Sequence, residues 1–339
     1  MRKKLFAASA AIVLLVAVFA FAACNGKDQG NDRIDLIPKL ELLYETDKDM
    51  LNTYSLIAVN PNATFKTEAG VTVTSAPKIN SEGADAFILW MTSEEGLNAV
   101  KDFGKADYGE ALFYVEEDFS PSVAAIPQAT EATKDITLST TTSVNDSGLL
   151  EGYLKPLFEN KYGYNLRILS QGTGAAITTA RQGDADLLLV HSKAQEEGFI
   201  GDANNYARKV EGFESERIHF MYNYFVLIGP KADPAGVREA ASVKEAFDKI
   251  ATGKFVFVSR GDNSGTHSAE IKLWDIVELK FFKDNIATTT EYPNKEATKG
   301  WYVSAGLGMG NCLIMANTLN GYVLSDKATY LAYKNSVQK

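Results

Sequence analysis

The chain has 339 residues, 45% of them hydrophobic and 11% aromatic, with a formal charge of −9. That is enough apolar material for two cores, and the acidic balance excludes nucleic acid as a partner. Besides Cys24, at the end of the N-terminal apolar segment, the only cysteine is Cys312, so no internal disulfide is expected and Cys312 reads as a buried, unreactive thiol.

In chain order, Arg2, Lys3 and Lys4 precede an apolar run over 5–20, interrupted by Ser9, and Phe21-Ala22-Ala23-Cys24 follows. A basic start, an apolar stretch and small residues ahead of a cysteine form the pattern of a lipoprotein signal. Residues 1–23 are therefore expected to be removed, Cys24 to carry lipid, and the polar residues 24–38 to act as a tether. A transmembrane anchor or a plain secretory signal are the alternatives. Loss of the three basic residues takes the charge from −9 to about −12. Any anion bound must then be held by local donors rather than by the protein's overall field.

Past the tether, short apolar runs over 40–44, 55–59, 136–140, 165–169, 187–190, 224–228 and 255–258 read as mostly buried strands. Between them, 83–90, 94–103, 148–162, 173–182, 243–252 and 266–278 carry apolar residues at helical spacing. This alternation predicts an α/β sheet protein, with Phe87, Trp90 and Met91 in its core. Residues 116–135, with Ser120-Pro121-Ser122 and Ile126-Pro127, read as a linker. Fully extended, it would reach about 60 Å.

Three islands carry the chemistry. Thr140-Thr141-Thr142-Ser143 is followed by Asp146-Ser147-Gly148; Gln171-Gly172-Thr173-Gly174 repeats the device; Ser259-Arg260-Gly261-Asp262-Asn263-Ser264-Gly265-Thr266-His267 extends it. Each puts hydroxyls and glycine where a strand ends and a helix begins, with one helix expected near Ser147. A helix start offers free N–H groups and the positive end of the macrodipole, so it holds oxyanions without a dedicated cation. Arg260 adds a planar fork of donors, Ser264 and Thr266 add hydroxyls, and the backbone over 263–266 can form an anion-binding concavity. Asp262 could accept the proton of a protonated anion, cap the turn, or orient Arg260. The blander readings are a continued strand for the threonines and a plain turn at Gly172.

Catalysis and adhesion fit less well. Ser264 falls one position late for a nucleophile elbow. His267, Ser264 and Asp262 share one tight turn, which does not suit a nucleophile, base and orienter. His191 is expected to be structural or at a cleft rim. Arg260-Gly261-Asp262 as an adhesion tripeptide occurs by chance. No His and Cys cluster has metal-ligand spacing, so neither a metal ion nor another cofactor is expected.

Together with 146–150, 183–192, Met221-Tyr222-Asn223, Trp301-Tyr302 and Gly308-Met309-Gly310, these islands cover most of 136–333. In that order they resemble the tungstate-binding solute receptors of ABC uptake transporters. The resemblance implies a two-lobed type II periplasmic-binding-protein fold with a ligand cleft between the lobes, and no enzyme activity. It implies capture of a small inorganic oxyanion, tungstate or molybdate, for delivery to an ABC permease subunit with its ATPase. The protein would be a monomer, lipid-anchored outside the cytoplasmic membrane or in the periplasm. By motif, Thr141, Thr142, Ser143, Thr173 and Gly174 would line one lobe, and Arg260, Ser264, Gly265 and Thr266 the other. Met309 would join them, chiefly through its backbone, because Leu307 stands where a polar residue is expected. Phosphate receptors share the Arg260-x-Asp262-x-Ser264-Gly265-Thr266 pattern and are the alternative; a surface phosphatase is the enzyme alternative.

Chain order departs from that family, in which the threonine motif lies close behind the signal. Here more than a hundred residues intervene, and 40–44, 52–61, 84–90, 92–96 and 111–114 resemble the family's C-terminal section. The expectation is a circular permutation, with 116–135 joining the ancestral termini. Residues 39–53 would then supply a strand of lobe 2, 54–115 and 136–226 lobe 1, and 227–339 the rest of lobe 2. Hinge crossings are expected at 53–59 and 222–228.

Overall fold

The computed structural model describes residues 33–75, 77–277 and 299–337. The expected signal, Cys24, most of the tether and the last residue of the 266–278 helix lie outside them. Strands follow in chain order as β1 (Arg33–Ile34), β2 (Leu40–Tyr44), β3 (Leu51–Val59), β4 (Tyr114–Val115), β5 (Asp135–Thr141) and β6 (Asn165–Gln171). Next come β7 (Leu187–Val190), β8 (Ala207–Arg208), β9 (Ile218–Pro230), β10 (Phe257–Ser259), β11 (Tyr302–Ser304), β12 (Tyr322–Asp326) and β13 (Ser336–Val337).

The long strand β9 belongs to two sheets. Up to Tyr224 it pairs antiparallel with β3 and, on its other edge, with β4. From Phe225 onward it lies antiparallel between β12 and β2. The first sheet continues from β3 through β7 to β5 and β6, the last three parallel to one another, while β8 pairs with the end of β3. The second continues from β12 to β10 and β11, also parallel.

Each sheet is covered on both faces, which is why its strands read as unbroken apolar runs. Leu56, Ala58, Leu187 and Leu189 face one core with Phe87, Trp90 and Phe158. Their neighbours Ile57, Val59, Leu188 and Val190 face another with Ala176, Ile177 and Ala180 from the helix Thr173–Gln182. In the second sheet Phe225 and Leu227 meet Phe247, Trp274 and Trp301, whereas Val226 and Ile228 meet Met309, Cys312 and Leu313. Alternating side chains thus build two three-layer α/β lobes joined through β9.

Residues 40–115 supply β2 to the second sheet, β3 and β4 to the first, and the core helix Ser81–Thr92. The change of lobe falls between Tyr44 and Leu51, earlier than the 53–59 expected, because Leu51 already pairs with Tyr224. The second crossing, at Tyr224 and Phe225, falls inside 222–228.

The 116–135 segment is no free tether. Backbone bonds from Glu116 to Phe220, Ser122 to Thr92 and Ala129 to Tyr162 pin it to the first lobe. Phe119, Ile126 and Ala129 give it an apolar underside packed on that core. Among the described residues, no helix is long and apolar enough to cross a membrane.

Candidate functional site

The three islands sit at strand ends, and the structure brings them together. After β5, a helix opens at Thr142 rather than near Ser147 and runs to Asp146; Gly148 then breaks the path with φ +86° before the chain turns helical again. Buried Thr141 and Ser143 share a 3.1 Å hydroxyl contact. After β6, Gly172 caps the helix Thr173–Gln182 with no side chain of its own, and Thr173 Oγ1 is buried without a hydrogen-bond partner in the protein. After β10, the turn over 260–264 leads into the helix Gly265–Val277, where Ser264 Oγ accepts from the N–H of His267. Thr266 Oγ1 is likewise buried and unpartnered.

Arg260 joins the two sides. Its guanidinium is 2% exposed, and Nη1 donates to Thr142 Oγ1 at 3.0 Å, 118 positions earlier in the chain. Nε and Nη2 both donate to Asp262 Oδ2, at 3.2 and 2.6 Å, and Asp262 Oδ1 accepts from Ser264 N. Of the three roles open to Asp262, it therefore fills two, orienting Arg260 and capping the turn. Burial of Arg260 also takes the basic arm of the adhesion tripeptide off the surface.

Glycines mark where the lobes touch. A Cβ on Gly172 would stand 3.3 Å from Ser264 Cβ, and one on Gly174 would stand 3.3 Å from the Asn263 carbonyl. A Cβ on Gly265 would be 2.4 Å from the ring of His191. Outside this contact, Gln195 Nε2 from the helix Lys193–Ile200 donates to Asn263 O and Ser268 Oγ, at 3.1 and 3.0 Å.

The Met309 side chain is fully buried in the second lobe's core with Val226 and Leu313, so only its backbone, at the start of the helix Met309–Leu319, is left for the cleft. The preceding Gly308 lies beside Thr142. Leu307 is partly exposed. Burial pushes the Cys312 thiol up to about 12, which keeps it inert.

Sequence reasoning missed a buried network at the crossing strands. Asn52 and Asn223 are direct partners in the β3–β9 register. Asn52 Nδ2 donates to Asn223 Oδ1 (2.7 Å) and to the Tyr54 hydroxyl (2.9 Å), while Asn52 Oδ1 lies 2.7 Å from His191 Nδ1. Asn223 Nδ2 is buried and unpartnered. The available signal was an asparagine inside each of two largely apolar strands.

This shell contains Arg260 neutralised by Asp262, several hydroxyls and helix-start N–H groups. Burial raises the Asp146 carboxyl above its ordinary range, against the pull of Arg260 and the Gly310 N–H. Such a donor set suits an oxyanion. It does not suit general-base catalysis: His267 Nδ1 accepts from the N–H of Asn263, which removes it from Ser264. Among the described residues no His, Cys, Asp and Glu group could hold a metal ion.

Tungstate-binding protein TupA of Peptoclostridium acidaminophilum is 40% identical over 209 residues, covering 61% of this chain and 64% of that protein. TupA of Campylobacter jejuni is 33% identical over 192 residues, 57% of this chain and 62% of its own. The chain spans less than two thirds of the length of the curated relatives it matches. A solved structure described as the tungstate ABC transporter from Geobacter sulfurreducens is 36% identical, covers 60% of this chain and 78% of its own, and has a TM-score of 0.48. A family model described as the PBP superfamily domain matches residues 127–339, and over well more than half of its length this chain belongs to that superfamily.

Proposed function

We propose that this protein is the solute receptor of an ABC importer and captures a tetrahedral oxyanion, tungstate or its near-isostere molybdate, between its lobes. The observation that carries the reading is the bond from Arg260 to Thr142 across the cleft, set among buried hydroxyls of both lobes. The names of the TupA relatives support tungstate as the ligand. Thr141, Thr142, Ser143 and Thr173 would donate from one side. Arg260, Ser264, Thr266 and the backbone of Gly174, Gly265 and Met309 would complete the shell as the lobes close. The work is capture without chemistry. Delivery goes to a permease subunit with its ATPase, from a monomer held outside the membrane by lipid on Cys24.

Phosphate is the less favoured ligand. Both carboxylate oxygens of Asp262 already accept donors of their own loop, so it is poorly free to take the proton of monohydrogen phosphate. Calorimetry with tungstate, molybdate, sulfate and phosphate tests the choice. Submicromolar tungstate binding with weak phosphate binding is expected; the reverse order would overturn it.

The chain order is proposed to be a circular permutation. The pairing of β1 with β13, Arg33 opposite Val337, supports this by putting the two ends of the described chain side by side.

A further inference from the structure

His191 follows directly after β7 with its ring nearly buried, stacked at 5.0 Å on Tyr54 and close to Phe225. Its two nitrogens have different surroundings. Asn52 spends its amide N–H groups on Asn223 and Tyr54, so the oxygen it turns to Nδ1 is an acceptor and Nδ1 must carry a hydrogen. In the neutral ring the lone pair then lies on Nε2, which is buried, has no hydrogen-bond partner in the protein, and abuts Gly265 at the start of the second-lobe helix. A shell otherwise rich in donors therefore contains a bare acceptor.

The charged and titratable groups around the ring come from several elements. Arg260 and Asp262 face it from the loop after β10, His267 follows one turn into the helix, and Tyr54 stacks from β3. Glu196, paired with Arg217, accepts from the neighbouring Ser192 N–H. Burial and Arg260 hold His191 down at about 3, so without an anion the ring is neutral at physiological pH. Because Asp262 already balances Arg260, a dianion would enter a site with no net positive charge, next to a lone pair that repels it.

We propose that one proton enters the site with the anion and resides on His191 Nε2, turning the bare acceptor into a charge-assisted donor to an anion oxygen. The inference rests on the oxyanion-capture reading and says how that site balances charge. Solvent supplies the proton, an N–H bond forms at Nε2, the Nδ1–H bond stays, and no bond within the anion breaks. A doubly charged neighbour favours the imidazolium, as opposite charges do for any titrating group.

The test is titration calorimetry of sodium tungstate into the whole protein near pH 7.5, in buffers of different ionisation enthalpy. About one proton taken up per tungstate is expected, with affinity falling up to about tenfold per pH unit while uptake is complete. The His191→Gln variant should bind with no uptake and a flat pH profile. Nitrogen-15 histidine NMR of the unmutated protein gives a readout that does not depend on the variant folding: Nε2 should change from unprotonated to protonated when tungstate is added. Tungstate binding without proton uptake, or with an unchanged Nε2 signal, overturns the inference and leaves oxyanion capture standing. No tungstate binding by the unmutated protein overturns both.

Discussion

A guanidinium buried to 2% exposure would cost several kcal/mol alone, and Asp262 offsets that cost while aiming the remaining N–H groups across the cleft. Lysine carries the charge but cannot serve Asp262 and Thr142 at once from a single ammonium. Arg260→Lys should therefore lose a charge-assisted bond of about 1.5–3 kcal/mol and weaken tungstate binding about 10- to 100-fold by calorimetry. Native affinity in that variant would show that the fork is not used. At this scale the hydroxyl islands were legible because each is local: strand, glycine, hydroxyl, helix. The Asn52, Asn223 and His191 network was not, since it exists only through a register joining residues 171 positions apart.

Helix Gly265–Val277 links the site to the second core, and two of its residues make opposite demands. At Gly265 the first lobe comes so close that an added methyl would meet the His191 ring, itself fixed by Tyr54. Gly265→Ala should keep its melting temperature without ligand yet bind tungstate at least about tenfold more weakly, because the lobes cannot seat. Small-angle scattering should show little compaction on adding tungstate; full compaction would contradict the close contact. Deeper in the helix, burial pushes the Glu270 carboxyl up to about 7, while Trp274 and Tyr302 donate to its Oε1. A carboxyl raised in the folded state binds more protons folded than unfolded, so its contribution is fully present below about 4.5 and is lost as pH rises through 7. Glu270→Gln keeps the acceptor and removes the charge. It should stabilise the protein by about 1–3 kcal/mol at pH 8 in denaturant unfolding, with the gain shrinking as pH falls from 7 toward 4.5. A gain independent of pH would mean the carboxyl is not held neutral. Most strands were legible as apolar runs because both sheet faces are covered. The turn at Gly148 was marked by its glycine, but the short helix that opens before it at Thr142 was not, since three threonines and a serine favour strand and turn over helix.

Apart from the small β1–β13 pair, the described residues form two sheets hung on one strand, and the order in which the chain visits them is separable from the contacts it makes. β2 reaches the second lobe first, β3 to β8 build the first, and β9 returns to the second. If the order is a permutation, the chain can be rewired without loss. Arg33 pairs with Val337, so a short glycine linker can join them. Val123 is 99% exposed on the strap, so new ends between Val123 and Ala124 cut no packed contact at that residue. The rewired chain should run from Ala124 through Val337, the linker and Arg33 to Val123, fold cooperatively, and bind tungstate within a few-fold of the original. Opening the chain instead between Tyr224 and Phe225 severs the strand both sheets share and should prevent folding. Closing one pair of ends and opening another changes loop-closure entropy only slightly, so topology alone gives no reason for the first design to fail. If it fails while the native order folds, residues 33–123 must precede the remainder for the lobes to form, and the permutation account falls.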